Sequence, residues 1–271
     1  MEQKFGNKWT LIKLDKVEEY IKAYMIVMKN QSWAILNYID AFCGSGENVQ
    51  IKNDDSISSS ALRALEYSFD KYVFIDTNKQ YVDNLETIIK SKSNWQKKNI
   101  LYFNNDANKE LFNIIQKLSE NDKGIIFLDP YALTVSYDTL KFIAKSEKLD
   151  VWYLFPINAL IRCMPKDGKK NEMFEDVVTK ILGTNEWIGK CYEISSQINI
   201  FEENLSERAN WQNVLKFVQK RFNNIFRYVC EKPKILYNNT SLLFALFFMC
   251  NSNSDKAVEI AKRISNHILK D

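Results

Sequence analysis

Apolar positions along the chain fall into two rhythms that take turns. In residues 10–30, TLIKLDKVEEYIKAYMIVMKN, Leu11, Leu14, Val17, Tyr20, Ile21 and Tyr24 recur at steps of three and four. That is the spacing of one helical face, with Thr10 as the expected N-cap. Short and nearly continuous apolar runs follow at LNYID (36–40), KYVFID (71–76), ILYFN (100–104), GIIFLDPY (124–131) and DVWYLFP (150–156). Between them stand segments of helical spacing, SSALRALEYSF, NKQYVDNLETIIKSK and NKELFNIIQKLSEN, the first preceded by a polar loop at 47–58. Apolar strands alternating with helices of this length predict a mostly parallel sheet covered on both faces.

The rhythm then changes. Residues 157–223 are more polar and helical only in patches, with MPKDGKKNE as an exposed turn; this stretch reads as an insertion over the strand ends. Two further runs, IFRYVCEKPKIL (225–236) and TSLLFALFFMC (240–250), are joined by so short a link that they must pair antiparallel, at the sheet edge. SDKAVEIAKRISNHILK closes the chain as an amphipathic helix capped by Ser254. One domain over 1–271, carrying an insertion at about 157–223, accounts for the whole pattern.

Composition narrows the chemistry. A 46% hydrophobic and 26% charged chain of 271 residues can bury a substantial core. Its net charge of +3 permits a nucleic-acid partner without requiring one. The five cysteines are scattered and odd in number, with no CxxC pair, which argues for reduced thiols in a cytoplasm and against a zinc site. A single histidine, His267, leaves no histidine triad and no multi-histidine metal site. MEQKFGNKWT has no apolar signal core, and LLFALFFMC is about half the ~20 residues of a membrane helix. A cytoplasmic protein with no membrane partner is expected.

The polar residues that end the apolar runs carry the chemical signal. Asp40, Asp76, Asp106 and Asp129 each stand at or just past a strand's C-terminal end, the edge where an open α/β sheet binds ligands. Each acid alone also fits a helix cap; their joint spacing favours a site. Two of the chain's 7 glycines, Gly44 and Gly46, follow Asp40 and allow a ligand close to bare backbone. GSGENVQIKN lacks the third glycine and the adjoining helix of a dinucleotide cradle, and no GxxxxGK[ST] occurs. A ligand with one ribose, an adenine and a zwitterionic tail suits such a turn, and S-adenosylmethionine is one. Asp76 is placed for ribose hydroxyls and Asp106 for the adenine amine.

Two short motifs then bring in a resemblance. IDAFCGSG resembles the first motif of class I S-adenosylmethionine-dependent methyltransferases, and LDPY the fourth-strand [DN]PP[YF] motif of those that methylate amino groups. WTLIKLDKVEEYIKAY, YIDAFCGSG, FDKYVFID, IIFLDPYAL, DVWYLFPINALIR and LGTNEW, in that order, are similar to the three-Cys-motif partner proteins (TcmP). That bacterial family has a methyltransferase-like fold and is named for a genomic neighbour carrying three cysteines. The likeness covers nearly the whole chain, most specifically 33–160, and LLFALFFMCNSNSDKAVEIAKRI matches the closing strand and helix.

The resemblance implies a Rossmann-like class I methyltransferase fold: a mostly parallel seven-stranded sheet with an antiparallel edge strand and helices on both faces. It implies S-adenosyl-L-methionine as cofactor, with Asp40, Phe42, Gly44 and Gly46 at its methionine end, Asp76 on the ribose and Asp106 on the adenine. Asp129, Pro130 and Tyr131 would face the acceptor, an exocyclic amine of a nucleic-acid base with adenine favoured. Here the chain departs from the motif, because a single proline brings the aromatic one place early. Arg162, Lys166, Lys169 and Lys170 are the residues expected to meet phosphates, unless they are simply a solvated face. Two other readings stand beside this one. The first is a non-catalytic cofactor-binding partner of a neighbour-encoded three-Cys-motif protein in a phage, mobile-element or defence setting. The second is a methyltransferase for proteins or small molecules.

Overall fold

The computed structural model describes residues 8–50, 56–168, 171–194 and 206–270. Helix α1 (Lys8–Met28) leads into β1 (Ile35–Asp40), a small ribbon of β2 (Val49–Gln50) and β3 (Ser56–Ile57), and helix α2 (Ser60–Ala64). Three strand–helix units follow: β4 (Lys71–Asp76) with α3 (Lys79–Lys90), β5 (Ile100–Asn104) with α4 (Ala107–Gln116), and β6 (Asp122–Leu128) with α5 (Tyr137–Ser146). Strand β7 (Leu149–Phe155) opens onto helices α6 (Ile157–Arg162), α7 (Glu172–Leu182) and α8 (Trp187–Lys190), a second ribbon of β8 (Tyr192–Ile194) and β9 (Ser206–Arg208), and helix α9 (Trp211–Asn223). The chain ends with β10 (Tyr228–Val229), β11 (Lys234–Asn238), β12 (Ser241–Cys250) and α10 (Asp255–Leu269).

The main sheet runs β5–β4–β1–β6–β7–β12, with β10 and β11 in line along the outer side of β12. Every pairing from β5 to β7 is parallel, whereas β12 runs antiparallel to β7 and to both outer segments. This is the Rossmann-like α/β fold, with seven strand positions filled by eight segments and the antiparallel member next to the edge. Strands β1, β4, β6 and β7 are buried on both faces because their residues are apolar without alternation; Tyr38, Phe74, Phe127, Trp152 and Phe155 are wholly enclosed. Asn239, in left-handed backbone at φ 52°, closes the hairpin from β11 to β12.

Strand order reverses at β1, whose neighbours are β4 on one side and β6 on the other. A crevice opens at such a point beyond the carboxyl ends of the strands. Asp40 pairs in register with Phe127, so Asp129 stands two residues further along the adjacent strand tip. The fold therefore places these two acids on either side of the switch point.

Three local expectations change. Thr10 does not cap α1; it lies inside the helix and is buried beside Lys13, Leu14 and Val17, because its spacing puts it on the inward stripe. The polar stretch at 47–58 contains the β2–β3 ribbon, with residues 51–55 outside the described residues. The helix after Ser59 is a short one, ending at Ala64, and Ser59 accepts the Leu62 amide as its cap. Within 157–223, α6 packs on β12 and α9, and α7 on α5. No helix among the described residues is long and apolar enough to cross a membrane.

Candidate functional site at the strand tips

Beyond Asp40 the backbone stays suspended between two strands. The Ala41 amide donates to the Phe127 carbonyl at 3.1 Å, and the Cys43 amide to the Ile75 carbonyl at 3.0 Å. Gly44 and Gly46 both adopt left-handed backbone, at φ 63° and 73°, which glycine enters without steric cost. Their surroundings differ. A Cβ on Gly46 would lie 2.5 Å from the Leu85 side chain on α3, whereas one on Gly44 would meet nothing within 4 Å among the described residues beyond its chain neighbours. Gly46 serves helix packing, and Gly44 fronts open space.

Asp76, at the tip of β4, holds this turn. Its Oδ2 accepts the Gly44 amide at 3.1 Å and its Oδ1 the Asn78 amide at 2.8 Å. Asp106 is the N-cap of α4, with Oδ1 accepting the Lys109 amide at 3.2 Å, so the structural role weighed for it is present. The neighbouring Asn108 binds the loop after β6: its Nδ2 donates to the Thr134 carbonyl at 3.0 Å, and its Oδ1 accepts the Ser136 amide at 2.9 Å and the Thr139 hydroxyl at 2.7 Å. Phe42 is half-buried against the core, and Cys43 is buried as a packing thiol.

Asp40 is fully enclosed. Its Oδ2 accepts the Ser60 hydroxyl at 2.6 Å and its Oδ1 the Phe42 amide at 3.2 Å. Burial pushes its carboxyl up from 3.8 to about 7; the Ser60 and Phe42 hydrogen bonds and the Lys13 charge oppose the rise, and the Asp129 charge adds to it. Between those two values the folded protein keeps a proton that the unfolded chain has released, so stability must fall as pH rises through that window and level off above about 7. Asp40→Asn should remove that slope. Thermal melts of both proteins over roughly pH 4.5 to 8 should show wild type losing a few kcal/mol relative to the variant. A constant difference would mean that Asp40 is ionised throughout.

Asp129 pairs with Lys13, whose Nζ meets Oδ2 from the first turns of α1. The two side chains are only 21% and 9% exposed, respectively. The other carboxylate oxygen, Oδ1, accepts nothing from the described residues. Pro130 is buried, while Tyr131 is 78% exposed. Arg162 lies exposed at the end of α6. Lys166 forms an ion pair with Glu207 at 3.2 Å, both side chains in solvent, and Lys169 and Lys170 lie outside the described residues. An open cleft of about 890 Å³, lined by Tyr20, Trp33, Lys123, Lys148 and Asp150 among others, sits at the opposite end, where β6 and β7 begin. Ligands of open α/β sheets bind at the carboxyl ends, so the strand tips remain the candidate site.

Sequence reasoning missed Lys13, Ser60 and Asn108. Lys13 did leave a signal: it stands three residues after Thr10 and four before Val17, a charge on the buried stripe of an amphipathic helix. Ser60 and Asn108 left none, because their partners lie on other elements.

No family model and no curated protein matches the chain. Among solved structures, it is similar to protein LPL1258 of Legionella pneumophila, from family DUF519, at 11% identity over 94% of this chain and 91% of that one, with a TM-score of 0.47. A S-adenosylmethionine-dependent methyltransferase from Clostridium acetobutylicum shares 12% identity over 87% and 92%, TM-score 0.38. The putative methyltransferase yhhF from Escherichia coli shares 13% over 71% and 85%, TM-score 0.35. These are distant likenesses, and the fold stands on its own strand order.

Proposed function

We propose that the chain is a S-adenosylmethionine-dependent methyltransferase acting on an amino group, an exocyclic amine of a nucleic-acid base with adenine favoured. The observation that carries this reading is the open space in front of Gly44, on the edge of the sheet where Asp40, Asp76, Asp106 and Asp129 stand at or just past four strand tips. The residues fit the cofactor. A bare backbone turn admits its amino-acid end, Asp40 holds the start of that turn through the Phe42 amide, Asp76 offers a carboxylate to ribose hydroxyls and Asp106 keeps one oxygen for the adenine amine.

S-adenosylmethionine supplies an electrophilic methyl group on a sulfonium. Asp129 and Pro130 do the protein's share at the acceptor. An exocyclic amine is a weak nucleophile because its lone pair is delocalised into the ring. If Asp129 Oδ1 and the Pro130 carbonyl accept its two N–H bonds, the nitrogen pyramidalises and the lone pair is aimed, which is a gain from orientation. Proline suits the position because it fixes the turn and brings no competing N–H. Transfer would exchange the carbon–sulfur bond for a nitrogen–carbon bond, leaving a neutral thioether, and the proton lost by the nitrogen would pass by way of the Asp129 carboxylate to water. A duplex base would need to flip out to reach this depth. Of the four cations expected to meet backbone phosphates, Arg162 is exposed and Lys166 would have to leave Glu207 to do so.

Calorimetric titration with S-adenosylhomocysteine tests the core of this reading. Binding at low to mid-micromolar Kd is expected, about 6–8 kcal/mol; no heat at high micromolar concentration would remove it. A tritiated methyl donor, offered with DNA, RNA, protein and small-molecule fractions in parallel, then identifies the acceptor.

A further inference from the structure

Taking that methyltransferase reading as its basis, we infer that Lys13 sets the charge at the acceptor end of the site, so that an uncharged amine is admitted and a cationic one refused. Its ammonium group is built in rather than draped over the surface. Lys13 projects from the inward stripe of α1, its side chain 9% exposed, and its Nζ binds Asp129 Oδ2 on one side. On another side it lies 5.2 Å from the centre of the Trp9 ring, which is itself packed on Phe244 at 5.1 Å. Asp40 stands close enough to feel both Lys13 and Asp129.

The charge count follows. Without Lys13, Asp129 would present an unpaired carboxylate, an attractive seat for a lysine side chain or a polyamine. With Lys13 present, an incoming ammonium meets a like charge beside Asp129 Oδ1, the oxygen that accepts nothing from the described residues. At a separation of about 4–5 Å that juxtaposition disfavours the cation by roughly tenfold or more. A neutral aromatic amine escapes this, because it donates N–H to Asp129 Oδ1 and carries no charge.

A substrate-free test uses two cofactor-shaped probes. S-adenosylhomocysteine is neutral at sulfur, and sinefungin carries an ammonium where the cofactor carries its methylsulfonium. Calorimetric Kd values for both are measured on wild type, Lys13→Met, Lys13→Arg and Asp129→Asn. Lys13→Met should shift the ratio of the two affinities toward sinefungin by about tenfold, and Lys13→Arg should leave it near wild type. Asp129→Asn leaves the lysine's charge unbalanced and should shift the ratio the other way by about threefold or more; it decides the matter if Lys13→Met fails to fold by circular dichroism. A change under about threefold in Lys13→Met, or one of opposite sense, overturns the inference about Lys13 while leaving the methyltransferase reading intact. Failure of wild type to bind S-adenosylhomocysteine overturns that reading itself, and is told apart by this result.

Discussion

Gly44→Ala is expected to weaken S-adenosylhomocysteine binding about tenfold or more while costing only ~1–2 kcal/mol of stability, and Gly46→Ala is expected to cost more stability and to change binding less. Both residues sit at positive φ, so each substitution carries the ~1–2 kcal/mol of a left-handed non-glycine residue. At Gly46 the new methyl also falls 2.5 Å from the Leu85 Cδ1 and 3.3 Å from its Cα. The side chain can turn aside, but the helix backbone behind it must shift too, an overpacking cost of about 1–3 kcal/mol. Together these lower the melting temperature by roughly 5–15 °C for a chain of this size. At Gly44 the methyl enters open space and, beyond its chain neighbours, touches no atom of the described residues within 4 Å. It can hurt only what occupies that space. Melting curves and calorimetry on the two variants separate the effects, and an unchanged Kd in Gly44→Ala would show that no ligand presses on this backbone.

Asp129→Ala should reduce methyl transfer by about 10²–10³ while changing the S-adenosylhomocysteine Kd less than about threefold. The loss is expected to fall on turnover because the proposed function puts Asp129 at the acceptor, across the switch point from the Asp76 and Asp106 tips. Asp129→Asn keeps an amide oxygen at the same place and should retain part of the rate. Removing the carboxylate also leaves Lys13 in a mostly enclosed position without its counter-ion, at a cost of up to ~3 kcal/mol. Activity must therefore be compared well below the melting transition. Transfer by Asp129→Ala at the wild-type rate, into any of the nucleic-acid, protein or small-molecule fractions, would remove this residue from the chemistry.

Much of this architecture is legible from the chain because its central strands are apolar without alternation. KYVFID, ILYFN and GIIFLD leave no helical period to compete, and each ends at a polar residue that marks the sheet's carboxyl edge. The observed bounds of β4 and β5 coincide with these runs. What stayed hidden depends on partners far along the chain. Lys13 and Asp129 are 116 residues apart, and a lysine within an amphipathic helix reads locally as solvent-facing. The separate duties of Gly44 and Gly46 are equally invisible, since they turn on where Leu85 of α3 falls. Thr10 shows the opposite error: a residue with a strong capping preference was drawn into the buried stripe by the spacing around it.

Asn108, on the first turn of α4, is bonded to three groups between Thr134 and Thr139, and so fastens that helix start to the loop beyond β6. Under the proposed function, a nucleobase seated against Asp106 would stiffen the loop that follows Asp129, with no hinge or lid required. The methyl donor would then be expected to arrive before the molecule that receives its carbon.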